Sequence, residues 1–356
     1  MQLRNIRNLN LVELIAEIES IGEKKFRAKQ IYEWLWKKSA TEFNEMTSLS
    51  VDLRKKLSEN YFIDHVTLDD EQISKDKTIK CAFNVGDGKV VEGVLIPTAN
   101  RTTACISTQV GCSLACKFCA TGKLKMMRNL TAGEIVDQVV YLRKQATDRY
   151  HQNLTNIVYM GMGEPLLNYK NTLRSIEMLT SEDGLGISPR RITVSTAGIA
   201  KMIRQLGDDE VKFNLALSLH AANDVKRNRI MEINESNDLE SLAEALIYFY
   251  ERTGTRPTYE YIIFDGFNDE LEDARELAEF CKHIPCKINI IEYNAIEGGD
   301  FKQAKTEKVD DFANYLESRN LIVNVRRSRG KDIDAACGQL ANKNKALLKE
   351  DRILKN

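Results

Sequence analysis

Residues 103–119 read Thr-Ala-Cys-Ile-Ser-Thr-Gln-Val-Gly-Cys-Ser-Leu-Ala-Cys-Lys-Phe-Cys. The first six are a short apolar run of strand type. Directly behind them, Cys112, Cys116 and Cys119 stand in a C-x3-C-x2-C pattern with an aromatic before the last. A strand running into such a turn opens a β–α unit, and the chain beyond repeats the unit. Strand-like segments recur at TNIVYMG, RITVST, FNLALSLH, PTYEYIIF, KINIIEYN and LIVNVRRS, with amphipathic stretches such as TAGEIVDQVVYLRKQ and LESLAEALIYFYERT between them. This alternation implies an α/β fold with a parallel sheet and helices outside. Six or seven units are too few for a full eight-fold barrel and fit an open, partial, TIM-like (β/α)6 barrel. Chemistry in such folds collects where the strands end.

Upstream the pattern differs. Leu11, Leu14, Ile15 and Ile18 form a helical stripe that Gly22 can close, Phe26, Ile31, Trp34 and Leu35 form a second, and SLSVDLRKKLSENY reads as a third helix. Residues 79–96 alternate around Gly86-Asp87-Gly88, the pattern of a hairpin. The expected organisation is an N-terminal helical accessory domain over 1–75, to which RNA binding is open, and a β-hairpin extension over 76–97. The core barrel follows over 98–335, with a C-terminal loop and tail over 336–356.

Composition narrows the classes. With 43% hydrophobic and 29% charged residues, the 356-residue chain has ordinary globular composition. Five prolines and 19 glycines exclude collagen-like and low-complexity chains. No apolar run reaches the roughly 18 residues a membrane helix needs. The N-terminal MQLRNIRNLNLVELIAEIES carries acids inside its apolar stretch and no cleavage site, so a cytoplasmic protein without a signal peptide is expected. The net charge of −1 hides an uneven spread: residues 101–200 carry a net +5. No acid falls between Glu92 and Glu134, where Arg101, Lys117, Lys123, Lys125 and Arg128 lie. A local positive field attracts polyanions, although a solvated basic face would read the same.

Eight cysteines in such a chain do not form a disulfide scaffold. Cys81, Cys281 and Cys286 lie in apolar segments and are expected to be small buried hydrophobes. The cluster at 112, 116 and 119 can hold a soft metal. Structural zinc wants four ligands, and no fourth Cys or His is near in sequence. A four-iron cluster on three thiolates instead leaves one iron open to a substrate. The strand-end segment Gly161-Met162-Gly163-Glu164-Pro165 permits close backbone approach and offers a carboxylate to an ammonium; a glycine-rich turn with a capping Glu would look alike. Ser195, Ser218, His220 and Asn294 put further small polar groups at strand ends. Cys105 precedes the cluster motif by seven positions, and Cys337 lies in GKDIDAACGQL after the last strand. In a closed or nearly closed barrel, first and last strands approach, and these thiols would meet at the mouth. Two inert core cysteines are the other reading.

The segments VEGVLIP around Glu92, CISTQVGCSLACKFCATG, NLTAGEIVDQV, GMGEPLLN, RRITVSTAG, LALSLHAAND, INIIEYN and RGKDIDAACGQLA span about residues 90–341. Together they resemble the RlmN/Cfr family of radical S-adenosylmethionine (SAM) RNA methyltransferases. The resemblance implies a radical SAM barrel with one [4Fe-4S] cluster on Cys112, Cys116 and Cys119, its fourth iron open to SAM. It places Gly163, Glu164, Ser195, Ser218, Leu219, His220 and Asn294 around SAM. It makes Cys337 a methyl carrier, Cys105 the thiol that releases product through a transient disulfide, and Glu92 the proton acceptor. The implied reaction uses two SAM per turnover to convert adenosine 2503 of 23S rRNA and adenosine 37 of tRNAs to 2-methyladenosine. The Cfr-type sibling activity at adenosine C8 is the alternative, and Pro165 favours C2. Implied partners are both RNAs and an external, flavodoxin-like electron donor, with a monomer expected and no membrane. Glu232 and Ala295 stand where the family pattern carries proline. Lys117, Lys123, Lys125, Arg128, Arg326, Arg327 and Arg329 are candidates for phosphate contact. A zinc-dependent RNA-binding protein without catalysis is the rival from another class.

Overall fold

The computed structural model describes residues 3–341. Strand β1 (Arg4–Asn5) leads into three helices, α1 (Leu11–Ser20), α2 (Phe26–Trp36) and α3 (Val51–Asn60). Asn10 caps α1 and Glu13 bonds back to Asn10, which satisfies two otherwise orphaned donors. The helices bury Leu14, Ile18, Ile31, Leu35, Leu53 and Leu57 between them. A short strand, β2 (Tyr61–Phe62), pairs with β1 and closes the unit. Buried Arg7 fastens this unit to the barrel, forking onto Asp137 at 2.6 and 2.7 Å and lying over the Trp36 ring.

Strands β3 (Thr67–Ile73), β4 (Ile79–Asn84), β5 (Val90–Pro97) and β6 (Thr102–Cys105) follow as an antiparallel meander. The β4–β5 hairpin turns at Gly86 and Gly88, both at positive φ, where alternation places it. Strand β3 is a departure, since residues 67–73 fall in the stretch assigned above to helices. Its sequence TLDDEQI is exposed along almost its whole length and has no apolar face. It is a charged edge strand of the kind that discourages further pairing.

From β6 onward the sheet is parallel. Two-residue strands β7 (Gln109–Val110) and β8 (Arg128–Asn129) pair with each other. Then come α4 (Ala132–Tyr150), β9 (Asn156–Tyr159), α5 (Tyr169–Thr180), β10 (Ile192–Thr196), α6 (Ala200–Asp208) and β11 (Asn214–Ser218). The chain continues through α7 (Asp224–Ile230), α8 (Leu239–Thr253), β12 (Thr258–Ile263), α9 (Leu271–Phe280), β13 (Lys287–Glu292), α10 (Thr306–Ser318) and β14 (Ile322–Arg326). The ten-stranded sheet runs β14-β13-β12-β11-β10-β9-β6-β5-β4-β3. Ile157, Val194, Leu215, Leu217, Tyr259 and Ile290 are fully buried in it, as parallel strands covered by helices must be. Cys81, Cys281 and Cys286 are buried free thiols. Among the described residues no helix is long and apolar enough to cross a membrane.

The barrel does not close. Among the described residues strand β14 pairs with β13 alone, and β6 is flanked by β5 and β9. The first and last parallel strands, β6 and β14, do not pair with each other, but residues of both line one cavity, so they face each other as the sequence leads one to expect. If Cys105 and Cys337 meet, the segment after β14 must bring them together.

Candidate active site

The cysteine loop starts between β7 and β8, which pinch its two ends together. Gly111 makes the pinch possible: at φ +79°, a Cβ there would stand 2.1 Å from the Lys125 carbonyl oxygen. Inside the loop, Cys119 N–H donates to Cys116 O at 3.1 Å, and Lys117 N–H donates to Ile230 O at 3.1 Å. Cys112, Cys116 and Cys119 all open onto one cavity of about 870 Å³. Burial pushes the Cys112 thiol up to about 11 and raises Cys116 and Cys119 as well, with repulsion between the neighbouring sulfurs adding to it.

The far wall of that cavity is made by strand ends. Gly163, Glu164, Ser195, Ser218 and His220 all line it. Gly163 has φ +91°, and a Cβ on it would meet the Gln109 side chain at 2.4 Å. Glu164 accepts from Ala197 N–H at 2.8 Å and from Leu166 N–H at 3.1 Å. Burial outweighs those bonds and pushes its carboxyl up to about 7, so an ammonium placed beside it would draw it into the ionised form. His220 accepts from Ile262 N–H through Nδ1 at 3.1 Å. Burial, with the Arg227 charge behind it, draws its pKa down to about 3. The ring is therefore neutral and carries its proton on Nε2. Leu219 and Asn294, also assigned to SAM above, do not line the cavity. Leu219 is fully buried and donates to Glu260 O at 3.0 Å. Asn294 donates to Cys337 O at 3.3 Å, and its own buried Oδ1 is unpartnered.

Cys337 joins two cavities. It lines the one that holds the three cysteines, and it also lines a larger one, about 1610 Å³, that runs down the inside of the open barrel past Cys105. Cys337 is exposed and Cys105 half-buried, and both are free thiols. Burial pushes Cys105 up to about 12, the Cys337 sulfur adds to the rise and Arg326 opposes it. Arg326 lines both cavities, held by Glu260 at 3.1 Å, which Asn289 steadies at 2.7 Å. The meeting of the two thiols is thus achieved by the loop behind β14, which folds back across the strand ends.

That loop has anchors that sequence reasoning missed. Ser74 Oγ donates to Asp332 at 2.5 Å, Lys75 N–H donates to the same carboxylate at 3.1 Å, and Gly330 N–H donates to Asp76 at 2.9 Å. Arg327 and Lys331 grip Glu292 at 2.6 and 3.2 Å. Ala120 N–H donates to Gly338 O at 2.7 Å and Thr121 Oγ1 to Leu340 O at 2.6 Å, which seats Cys337 against the cysteine loop. Residues scattered this widely leave no local signal. The part of the tail beyond residue 341 lies outside the described residues.

Glu92 is buried in β5, 3.6 Å from Lys80 Nζ, and its Oε2 accepts from Ala341 N–H at 2.8 Å. It lines neither cavity. Most of the basic residues are occupied internally. Lys123 donates to the carbonyls of Glu297 and Gly298, Arg128 pairs with Asp87 and Glu134, and Arg329 with Asp76. Lys117 on the cysteine loop and Lys125 just behind it are exposed, as is Lys123 itself.

The donor set can be tested against the groups it could hold. Among the described residues no three His, Cys, Asp or Glu side chains converge as a single metal ion requires. A four-iron cluster needs one thiolate on each of several irons, spread over a cube in a recess. Three separated thiols around one cavity fit that requirement, and loading must release their protons.

Comparison with known proteins agrees in detail. Residues 4–63 match the model described as ribosomal RNA large subunit methyltransferase N-terminal domain, and residues 106–280 match the radical SAM superfamily. A probable dual-specificity RNA methyltransferase RlmN from Cytophaga hutchinsonii is 58% identical over 95% of this chain and 93% of its own. Its namesake from Flavobacterium psychrophilum is 54% identical over 96% of this chain and 99% of its own. The crystal structure of a radical SAM methyltransferase from Sphaerobacter thermophilus superposes with a TM-score of 0.89 at 39% identity, covering 95% of this chain and 99% of that one.

Proposed function

The chain belongs to the RlmN family of dual-specificity RNA methyltransferases, and from that premise we propose that it methylates C2 of the two adenosines named above, in 23S rRNA and tRNA, through Cys337. The observation that carries this reading is the position of Cys337 between the cavity of the three cysteines and the barrel cavity of Cys105. One thiol can therefore collect a methyl group on one side and deliver it on the other.

The family's cofactors are a [4Fe-4S] cluster and SAM. Cys112, Cys116 and Cys119 would hold the cluster, which together with SAM would supply the one-electron chemistry needed to remove hydrogen from a methyl group. Glu164 pairs with the SAM ammonium, and the neutral His220 ring offers its Nε2 proton as a donor. Cys337 first displaces the methyl group from a SAM sulfonium, losing its thiol proton and forming an S–CH3 bond. A base flipped into the barrel cavity meets that carbon once it has lost a hydrogen. Cys105, protonated at rest, then attacks the Cys337 sulfur. The S–S bond would form as the C–S bond breaks; the freed carbon would keep the bonding pair and take a proton to become the methyl group, the odd electron of the adduct would return to the redox centre, and an external thiol reductant would restore both thiols. Glu92, whose Oε2 accepts from Ala341 N–H, is the group that would take the C2 proton.

The test is nucleoside mass spectrometry of RNA treated with the reconstituted enzyme, SAM and reductant. The expected product is 2-methyladenosine; 8-methyladenosine overturns the position, and no methylated adenosine overturns the activity.

A further inference from the structure

Arg227 on α7 has none of its surface exposed, and the chemistry above does not use it. Each of its nitrogens donates, yet every acceptor is neutral. Nε reaches Leu219 O at 3.1 Å, Nη1 reaches Asn234 Oδ1 at 2.5 Å, and Nη2 reaches the carbonyls of Ala197 and Ser218 at 2.6 and 3.2 Å. Asp224 begins the same helix but spends its Oδ1 on Asn234 Nδ2 at 2.7 Å and Leu239 N–H at 3.1 Å. The carbonyl dipoles solvate the cation without cancelling its charge. Burial lowers its pKa only to about 10, so it stays protonated at neutral pH. Asp224 attracts the cation from beyond Asn234 but does not touch it; a buried charge with no carboxylate in contact is costly, which asks what further anion belongs beside it.

The position of α7 answers. Its last carbonyl, Ile230 O, accepts from Lys117 N–H at 3.1 Å. Ile230 and Met231 share one apolar cluster with Cys116 and Cys119. Arg227 Nη2 itself holds the carbonyls of Ala197 and Ser218, and both of those residues line the cavity onto which the three cysteines open.

We propose that Arg227 is the counter-charge of the iron–sulfur cluster, a buried cation that favours its one-electron-reduced state and so raises its reduction potential. This rests on the reading that the three cysteines hold such a cluster. The electron comes from a low-potential one-electron reductant and enters the cluster with no bond made or broken and no proton moved. A cluster on three thiolates becomes more negative on reduction, and a fixed cation in a medium of low dielectric stabilises that added charge. The competing account makes Arg227 a brace for the ends of β10 and β11 through its hydrogen bonds alone.

The test compares wild type, R227Q, R227K and N234D after anaerobic reconstitution. Iron and sulfide are counted first, then a dithionite titration is followed by electron paramagnetic resonance. At equal iron content, R227Q should show the ratio of reduced to oxidised cluster falling about tenfold at the wild-type midpoint, a shift of about 59 mV to lower potential for a one-electron couple. R227K, which keeps the charge and loses the fork, should stay within about twofold of wild type. N234D, which sets a carboxylate against Nη1, should move in the same direction as R227Q. Equal potentials in wild type and R227Q overturn the proposal, as does R227K shifting as far as R227Q. If R227Q does not load, an unchanged N234D potential overturns it. A wild-type chain that takes up no iron or sulfide instead overturns the cluster reading itself.

Discussion

Two loops face each other across the cavity, and opposite means fasten them. The cysteine loop, residues 111–123, is shaped by near neighbours: Cys119 N–H bonds Cys116 O, Gly122 N–H bonds Cys119 O, and Gly111 turns where a side chain would collide. The loop behind β14 is pinned from far away, and its bond from Ser74 to Asp332 spans 258 positions. A local fold can be carried by a short motif. A long-range one is carried by whatever elements the topology happens to place alongside. The proposed reaction needs both, since in it Cys337 sits against the cysteine loop and still reaches Cys105.

The contrast can be broken first at its sulfurs. Cys112→Ala should remove the cluster and all methylation, seen as lost iron and lost visible absorption. Cys337→Ala should abolish methylation while iron content stays at the wild-type value; methylation surviving in that variant refutes the carrier role. Cys105→Ala should halt the reaction one step later, with RNA trapped on Cys337 as a species of retarded mobility on denaturing gels. Next come the anchors. Asp332→Ala removes two bonds to the β3–β4 turn, worth about 1–3 kcal/mol together. The single-turnover rate should fall roughly tenfold while Cys337 alkylates faster; an unchanged alkylation rate shows that the turn does not hold the loop.

Acidity gives a smaller effect. Glu164 has a carboxyl pushed up to about 7 by burial, and pairing with the SAM ammonium requires the ionised form. SAM affinity should therefore hold above pH 7 and weaken below it by at most about tenfold per unit, since one proton must leave on binding. Calorimetry across that range checks the sign, and Glu164→Gln should flatten the profile. The smallest change belongs to the surface. Lys125→Ala should reduce the slope of log affinity for RNA against log salt by about 1. Arg128→Ala should leave that slope intact and lower thermal stability, because its guanidinium is spent on Asp87 and Glu134.

Sequence legibility followed the same division. The seven parallel strands and the helices between them were readable because buried strands are continuous apolar runs and amphipathic helices carry a stripe. The cysteine motif was readable because its ligands lie within eight residues. Strand β3 was not, since an exposed edge strand has no apolar face to betray it. The anchors Ser74, Asp76 and Glu292 were not, because ordinary polar residues gain their role only when the fold brings a partner from the far end of the chain. Cys105 and Cys337 are legible as a pair from the strand order and from the resemblance, and both line one cavity between the first and last strands; the long-range anchors that seat the Cys337 loop are not legible. Leu219 and Asn294, which the resemblance places at the cofactor, are outside the cavity lining that Gly163, Glu164, Ser195, Ser218 and His220 share. Five of the seven arginines and lysines offered to phosphate turn out to be engaged within the protein, because charge in a sequence does not show its partners.

One further consequence follows from β14 having, among the described residues, no strand neighbour on its outer side. A barrel lacking a stave has a slot along its length instead of only a mouth at its top. Whatever enters need not be narrower than the ring of strands; it need only present one flat, slender part edgewise while the bulk stays outside. Such a shape sets a size limit on the nucleobase and none on the particle that carries it.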